Sequence, residues 1–208
     1  VKKAGGLEEM AVEKNAFVIR RSDVSLLILD ATEPIGAQEK TLAGLLKDSG
    51  AGVIIVVNKW DLVKDKDSNT INDYKKYFAD EFPFLAWAPV LFVSALNKQR
   101  VSTIFGMIDD VQKHRLTELS DKVLERFMHA AVKQHLPSKG KGTKPPKALG
   151  LKQISNAPPT FDLTVKAQRE DALHPSYLRF LENRMREIHD LTGTPMRINV
   201  RIATAVSK

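Results

Sequence analysis

The strongest chemical signal in this 208-residue sequence is a pair of polar segments, each directly after an apolar run. The run 53–57 stops at Asn58-Lys59-Trp60-Asp61, and the run 90–93 stops at Ser94-Ala95-Leu96. In open parallel sheets, ligands bind at the carboxyl ends of the strands, so loops that follow neighbouring strands converge on one ligand. The sequence therefore predicts a ligand site built from these two segments.

The residue types favour a guanine base as this ligand. Guanine presents its N1–H and 2-amino donors side by side, and the carboxylate of Asp61 can accept both in a bidentate pair. Asn58 carries a donor and an acceptor and can link the two loops, while Lys59 can lay its methylene stem on the purine face. The backbone N–H of Ala95, which follows Ser94, can donate to guanine O6. Adenine offers no matching pair of donors, so we expect selectivity for guanine.

A polar turn after a strand is the simpler interpretation of the same residues. A tetrapeptide with three fixed positions arises by chance in roughly a few per cent of chains of this length. The placement of both polar segments directly after apolar runs favours the guanine interpretation. Trp60, which lies inside the first segment, is expected to pack in the core rather than to contact the ligand.

The elements that must position these loops alternate between strand and helix. The sequence predicts strands at 24–29, 53–57 and 90–93, and helices at 38–47, 72–82 and 101–116, with helical spacing also over the first 22 residues. Near-continuous apolar strands are typical of parallel sheets that are covered on both faces. The predicted fold class of this part is α/β, with a parallel sheet.

The pattern changes after Leu116 and predicts a second, α+β module. A helix is expected from Ser120 to about Leu136, strands at 151–157 and 160–167, a helix at 175–191 and a strand at 196–202. This order is α-β-β-α-β. The segment 137–147 is rich in Lys, Gly and Pro and predicts a flexible loop. We therefore expect two domains, 1–117 and 118–208.

The second module holds the whole positive excess of the chain. Residues up to Glu118 include 16 basic and 17 acidic side chains, whereas those from Leu119 onward include 16 basic and 8 acidic ones. This asymmetry predicts a polyanionic partner, and the alternative is a solvated basic surface that binds nothing. The predicted loop carries four candidate contacts to an RNA backbone, which are Lys139, Lys141, Lys144 and Lys147.

Both parts of the chain resemble known proteins. Asn58-Lys59-Trp60-Asp61 and Ser94-Ala95-Leu96 resemble the base-recognition motifs of P-loop GTPases, and segment 24–30 resembles the strand after switch II. Segments 174–187 and 193–198 are similar to the C-terminal KH-like domain of the tandem-G-domain GTPase family Der, also called EngA. The resemblance implies a partial P-loop GTPase fold followed by a KH-like domain, GTP or GDP as the ligand, and action on the large ribosomal subunit and its rRNA.

The sequence lacks two motifs that such a GTPase needs. It contains no G-x-x-x-x-G-K-[ST] phosphate loop, and no D-x-x-G motif for metal and γ-phosphate precedes the predicted strand 24–29. We expect the chain to begin inside switch II, with the front of this G domain and a first G domain upstream in the same polypeptide. Mg²⁺ is expected only with that upstream part, so the catalytic residues stay unknown and no metal-binding residue is assigned.

Two functions remain open from the sequence. The resemblance implies a GTPase of large-subunit biogenesis, of which this chain alone is inactive. The alternative is a non-catalytic RNA- or ribosome-binding module on a G-domain scaffold. KH domains clamp RNA with a G-x-x-G loop, and no two glycines here are three apart, which argues against that mode. The lack of cysteine fits a cytoplasmic protein, and we expect a monomer without membrane contact.

Overall fold

The computed structural model describes residues 17–19, 21–138, 140–141, 145–167 and 169–203, with only the backbone of Glu170. The chain forms two compact units. The first contains the described residues up to Arg115 together with Thr192–Pro195, and the second contains Leu116–Leu191 and the described residues from Met196 onward. The short segment Thr192–Pro195 thus belongs to the first unit, although it lies far along the sequence.

The first unit is built on a three-stranded parallel sheet of order β1-β2-β3. Its strands are β1 (Val24–Asp30), β2 (Gly52–Asn58) and β3 (Val90–Phe92), and its helices are α1 (Ala37–Ser49), α2 (Thr70–Glu81) and α3 (Thr103–Arg115). All residues of β2 except its last are buried. They are covered by one apolar cluster on each face, which explains the continuous apolar run. The predicted α/β fold with a parallel sheet is confirmed.

Local hydrogen bonds set the helix boundaries in this unit. Helix α2 begins two residues before the predicted start, because Asp67 Oδ1 accepts from the backbone N–H groups of Asn69 and Thr70 at 2.9 and 2.8 Å. Helix α1 ends at Gly50, which takes the left-handed conformation at φ 82°. The errors of the sequence prediction are therefore confined to the ends of the elements.

The second unit has the predicted order α-β-β-α-β. It contains α4 (Asp121–Gln134), β4 (Lys147–Asn156), β5 (Pro159–Lys166), α5 (Pro175–Ile188) and β6 (Arg197–Ile202). The central strand β5 runs antiparallel to β4 and parallel to β6. Alternate residues of β5, namely Phe161, Leu163 and Val165, are buried against α4 and α5. The two helices therefore cover one face of this sheet.

The predicted loop 137–147 ends one residue too late, and backbone hydrogen bonds hold part of its first half. Strand β4 begins at Lys147, four residues before the predicted start at Leu151, because it pairs with β5 across a bulge. At the other end, the N–H groups of Gly140 and Lys141 donate to the carbonyl oxygens of Ala172 and Asp171 at 2.7 and 2.8 Å. Lys139, Lys144 and most of the predicted N-terminal helix lie outside the described residues.

Candidate functional site

The two polar segments lie side by side at the carboxyl edge of the first sheet. Asn58 is the last residue of β2, and the Trp60 N–H that follows donates to the carbonyl of Val93 at 3.0 Å. The side-chain oxygen Asn58 Oδ1 accepts from the backbone N–H of Ala95 at 3.0 Å. This is the link between the loops that the sequence predicts for Asn58.

The same hydrogen bond occupies the donor that the sequence assigns to guanine O6. The Ala95 N–H already has an acceptor in Asn58 Oδ1, so it can serve O6 only if Asn58 shares or releases it. Ser94 is fully buried, and its Oγ accepts from the N–H of Asn97 at 3.1 Å. Its backbone pairs with Gln99 in an isolated bridge. Ser94 therefore shapes the turn that exposes Ala95.

Lys59 forms an ion pair that the sequence did not predict. It takes a left-handed conformation at φ 61°, and its Nζ lies 2.5 Å from Oδ2 of Asp30. Asp30 ends β1 and faces Asn58 in the strand register. Its other oxygen accepts from the backbone N–H and the hydroxyl of Thr32 at 2.9 and 2.7 Å. The signal that could have identified Asp30 is its position at the end of a strand.

Asp61 is the carboxylate that remains available at this edge. It lies in the short 3₁₀ turn Trp60–Leu62 and is half-buried. Among the described residues it has no hydrogen-bond or ion-pair partner. Trp60 beside it is buried, with its ring 4.5 Å from Phe92 and 5.1 Å from Tyr74, which confirms its predicted packing role. The packing of Trp60 in the core thus fixes the turn, and the carboxylate of Asp61 is left half-buried and available to a ligand.

Two exposed leucines accompany these polar groups, and the sequence analysis gave them no function. Leu62 is 54% exposed and Leu96 is 84% exposed. Leu96 follows Ala95 directly, and Leu62 follows Asp61 directly. Single exposed leucines are common on protein surfaces, so their exposure alone does not identify a ligand. Their positions nevertheless place apolar side chains next to the unpaired carboxylate and the exposed loop.

The ion pair changes the titration of Asp30. The hydrogen bonds from Lys59 and Thr32 lower the pKa of Asp30 from its usual 3.8 to about 2. Because the pKa in the folded state is depressed, the stabilisation from this carboxylate is present above pH 3.8 and is lost as the pH falls through about 2. The same pair raises the pKa of Lys59.

Replacing Lys59 by methionine is therefore expected to move the titration midpoint of Asp30 upward toward 3.8. Methionine keeps an unbranched apolar stem in place of the lysine side chain and removes its positive charge. The measurement is an NMR titration that follows the Asp30 side-chain carbon in parent and variant, with the titration of the exposed Asp65 as an internal control. An unchanged Asp30 midpoint in the variant would show that the ion pair does not form in solution.

The described residues contain no metal site and no membrane-spanning helix. No group of three or more His, Asp or Glu side chains in these ranges is arranged to hold a metal ion. No chemical step is assigned to a metal. No helix in the described ranges is both long enough and apolar enough to cross a bilayer.

Two family models match consecutive parts of the chain. Residues 12–114 match the GTP-binding domain of elongation factor Tu. Residues 119–201 match the C-terminal KH-domain-like region of EngA bacterial GTPase enzymes. The candidate site lies in the first matched range, and the β4-β5-β6 sheet lies in the second.

Similar proteins cover nearly the whole chain. GTPase Der of Enterococcus faecalis is 39% identical over 92% of this chain and 43% of its own length. GTPase Der of Limosilactobacillus fermentum is 37% identical over 95% of this chain and 46% of its own length. A solved structure of a probable GTP-binding protein engB aligns with a TM-score of 0.42 and 15% identity over 52% of this chain and 67% of that chain, a likeness too low to carry an argument. The chain thus spans less than half the length of these curated relatives, and it belongs to the GTPase Der (EngA) family.

Proposed function

We propose that the candidate site binds the base of a guanine nucleotide and that the protein acts as a GTPase. The observation that carries this proposal is the unpaired carboxylate of Asp61 beside the Asn58–Ala95 link, at the carboxyl edge of a parallel sheet. A carboxylate there matches the adjacent N1–H and 2-amino donors of guanine. The family membership supports the same ligand.

The contacts suggest how each side chain acts on the base. Asp61 accepts the two donors of guanine. Guanine O6 shares or replaces Asn58 Oδ1 as the acceptor of the Ala95 N–H. Lys59 is held by Asp30 across the strand ends and lays its stem along one face of the purine. The exposed side chain of Leu96 supplies apolar contact to the ring.

The edge strand β1 supports the proposal that the phosphate-binding half of the domain packs here. Among the described residues β1 pairs only with β2. Its residues Leu26 and Ile28 are 36% and 63% exposed, although their partners Ile54 and Val56 in β2 are buried. A free strand edge with exposed apolar side chains is a place where a further strand and helix pack. We propose that this half carries the phosphate loop and the Mg²⁺ ligands.

We also propose that the protein acts on the rRNA of the large ribosomal subunit in the cytoplasm, with a first G domain upstream in the same polypeptide. The support is the family membership and the positive excess of the second module. Of the four candidate loop lysines, Lys141 and Lys147 are exposed, while Lys139 and Lys144 lie outside the described residues. An RNA-binding module without catalysis is the alternative.

The 208-residue chain alone is expected to bind GTP and GDP more weakly than micromolar and to hydrolyse neither. The reason is that phosphates and Mg²⁺ supply most contacts in such sites, and the sequence holds no phosphate loop. Calorimetry and a phosphate-release assay measure the two quantities. Micromolar or tighter binding would reveal a phosphate site elsewhere in the chain. Addition of the phosphate-binding half should restore nucleotide binding and hydrolysis. If the longer protein still hydrolyses no GTP, the non-catalytic alternative is favoured.

A further inference from the structure

The sheet of the second unit has a basic outer face, opposite to the face that α4 and α5 cover. The strand register places Lys152 and Asn199 on either side of Asp162, and Asn199 donates to Asp162 Oδ1 at 2.9 Å. These contacts show that the three strands present these side chains on the same face. Positions in register along this face hold five basic residues, which are Lys147, Lys152, Lys166, Arg197 and Arg201. All five are exposed.

We propose that this outer face, referred to below as the basic face, binds the phosphate backbone of RNA. The proposal rests on the proposed association with rRNA, and it assigns that contact to a sheet rather than to the loop 137–146.

The charge of three lysines on the basic face is not neutralised by any carboxylate among the described residues. The three strands place one acidic residue there, Asp162. Both of its oxygens are engaged, one by Asn199 at 2.9 Å and the other by Arg201 at 3.1 Å. Among the described residues, Lys147, Lys152 and Lys166 have no carboxylate within ion-pair distance. A row of unpaired cations is complementary to a polyanion.

Two of these lysines stand opposite each other. Lys147 in β4 and Lys166 in β5 are direct partners in the antiparallel register. Like charges at directly opposed positions destabilise a sheet, and nothing in the packing requires either side chain, because both are exposed. The arrangement is therefore unfavourable for folding alone, and a phosphate bound between the two ammonium groups would remove the repulsion.

Gly150 leaves a gap on the same face. It lies inside β4 opposite Thr164, and a Cβ built on it would meet no atom within 4 Å. Its φ is not positive, so the backbone does not require glycine here. Glycine weakens a strand interior and often marks the close approach of another chain. The gap lies between the cross-strand pair Lys152–Asp162 and the cross-strand pair Lys147–Lys166. At this place it lets an RNA backbone approach the sheet.

The side chains on the basic face favour a phosphate backbone over other partners. Its positions in register hold no aromatic residue, so base stacking does not contribute. The paired positions also hold no large apolar residue, and the two exposed apolar residues of β4, Leu149 and Ile154, lie at its bulges. The hydroxyl of Thr164 can instead donate to phosphate or sugar oxygens. By contrast, Arg184 and Arg186 on α5 are already paired with Glu187 and Glu182.

The test compares three variants of the 208-residue chain that each lose three positive charges by substitution with glutamine. The first changes the basic face at Lys147, Lys152 and Lys166. The second changes the loop at Lys139, Lys141 and Lys144. The third is the matched control and changes exposed residues of α4, at Lys122, Arg126 and Lys133. Binding of fluorescein-labelled oligouridylate is measured by anisotropy over a series of salt concentrations, with polyglutamate as a competitor.

The basic-face variant is expected to weaken binding at least tenfold at low salt. The slope of log K against log[salt] should fall by about two, since each lost phosphate contact on a single strand contributes roughly 0.7. The α4 control should stay near the parent. Parent-like binding by the basic-face variant, with loss in the loop variant, would overturn this assignment while leaving RNA association intact. No binding by the parent would overturn the RNA association itself, and equal displacement by polyglutamate would point to an acidic protein instead.

Two single substitutions separate binding from folding. Gly150→Thr adds a β-branched side chain into open space, so the melting temperature should stay the same or rise while RNA binding falls several-fold. Lys166→Thr should likewise raise the melting temperature by removing the repulsion with Lys147 and should weaken binding. Undiminished RNA binding by both stable variants would contradict the proposal.

Discussion

Asp61→Asn is expected to change the preferred base from guanine to xanthine. The amide replaces one acceptor by a donor, so it loses the pair of charge-assisted hydrogen bonds to N1–H and the 2-amino group and gains a donor for the 2-oxo group of xanthine. A lost bidentate pair costs about 2–3 kcal/mol, which corresponds to a roughly 30- to 200-fold weaker affinity for GTP. Because Asp61 has no partner among the described residues, the folded structure should be unaffected.

The measurement is competition between GTP, XTP and ATP for a longer form of the protein that carries a phosphate-binding loop. Asp65→Asn is the matched control, since Asp65 is an exposed carboxylate four positions farther along the chain, in a left-handed conformation that asparagine tolerates. It should leave all three affinities unchanged. Unchanged GTP affinity in Asp61→Asn would exclude Asp61 from the base site and with it the observation on which the proposed function rests.

Gly193→Ala is expected to destabilise the first unit by about 2–5 kcal/mol. Gly193 is buried with φ 74°, a conformation that costs an L-residue roughly 1–2 kcal/mol. A Cβ at this position would also overlap the side chain of Val111, and overpacking costs about 1–3 kcal/mol more. The backbone cannot easily move away, because the Gly193 N–H donates to Trp87 and its carbonyl accepts from Val53, both at 2.8 Å.

Urea unfolding followed by tryptophan fluorescence measures this loss, since both tryptophans lie in the first unit. Gly44→Ala is the control. Gly44 lies inside α1, and a Cβ there would meet nothing within 4 Å, so the substitution should stabilise the unit by about 0.5–1 kcal/mol. Equal stability of Gly193→Ala and the parent would mean that Thr192–Pro195 is not held in the first unit in solution.

The adjacency of the two candidate loops could be predicted because its signal is local. A buried parallel strand needs a continuous apolar run, and the polar residues that end it must lie at the carboxyl edge of the sheet. Asn58, Asp61 and Ala95 could therefore be placed together from the sequence, and the structure joins the two loops through the Asn58–Ala95 hydrogen bond. Trp60 could be assigned to the core on the same grounds.

The partners of these residues could not be predicted, because they depend on contacts between separate elements. The pairing of Lys59 with Asp30 follows from the register of β1 against β2, which an apolar pattern does not specify. The engagement of the Ala95 N–H follows from the orientation of one amide side chain. Both observations change how the site is expected to receive a base. The Ala95 N–H must exchange its acceptor Asn58 Oδ1 for the base, and Lys59 is held in place by Asp30.

The sequence by itself determined the α/β class of the first module, the α-β-β-α-β order of the second and the position of the two polar loops at the strand ends, because periodicity and strand ends are short-range properties. Only the tertiary structure decided that Thr192–Pro195 packs within the first unit, that β4 begins at Lys147, and that five basic residues share one sheet face. Each of these depends on strand register or on close packing around residues such as Val111, which arise between segments far apart in the chain.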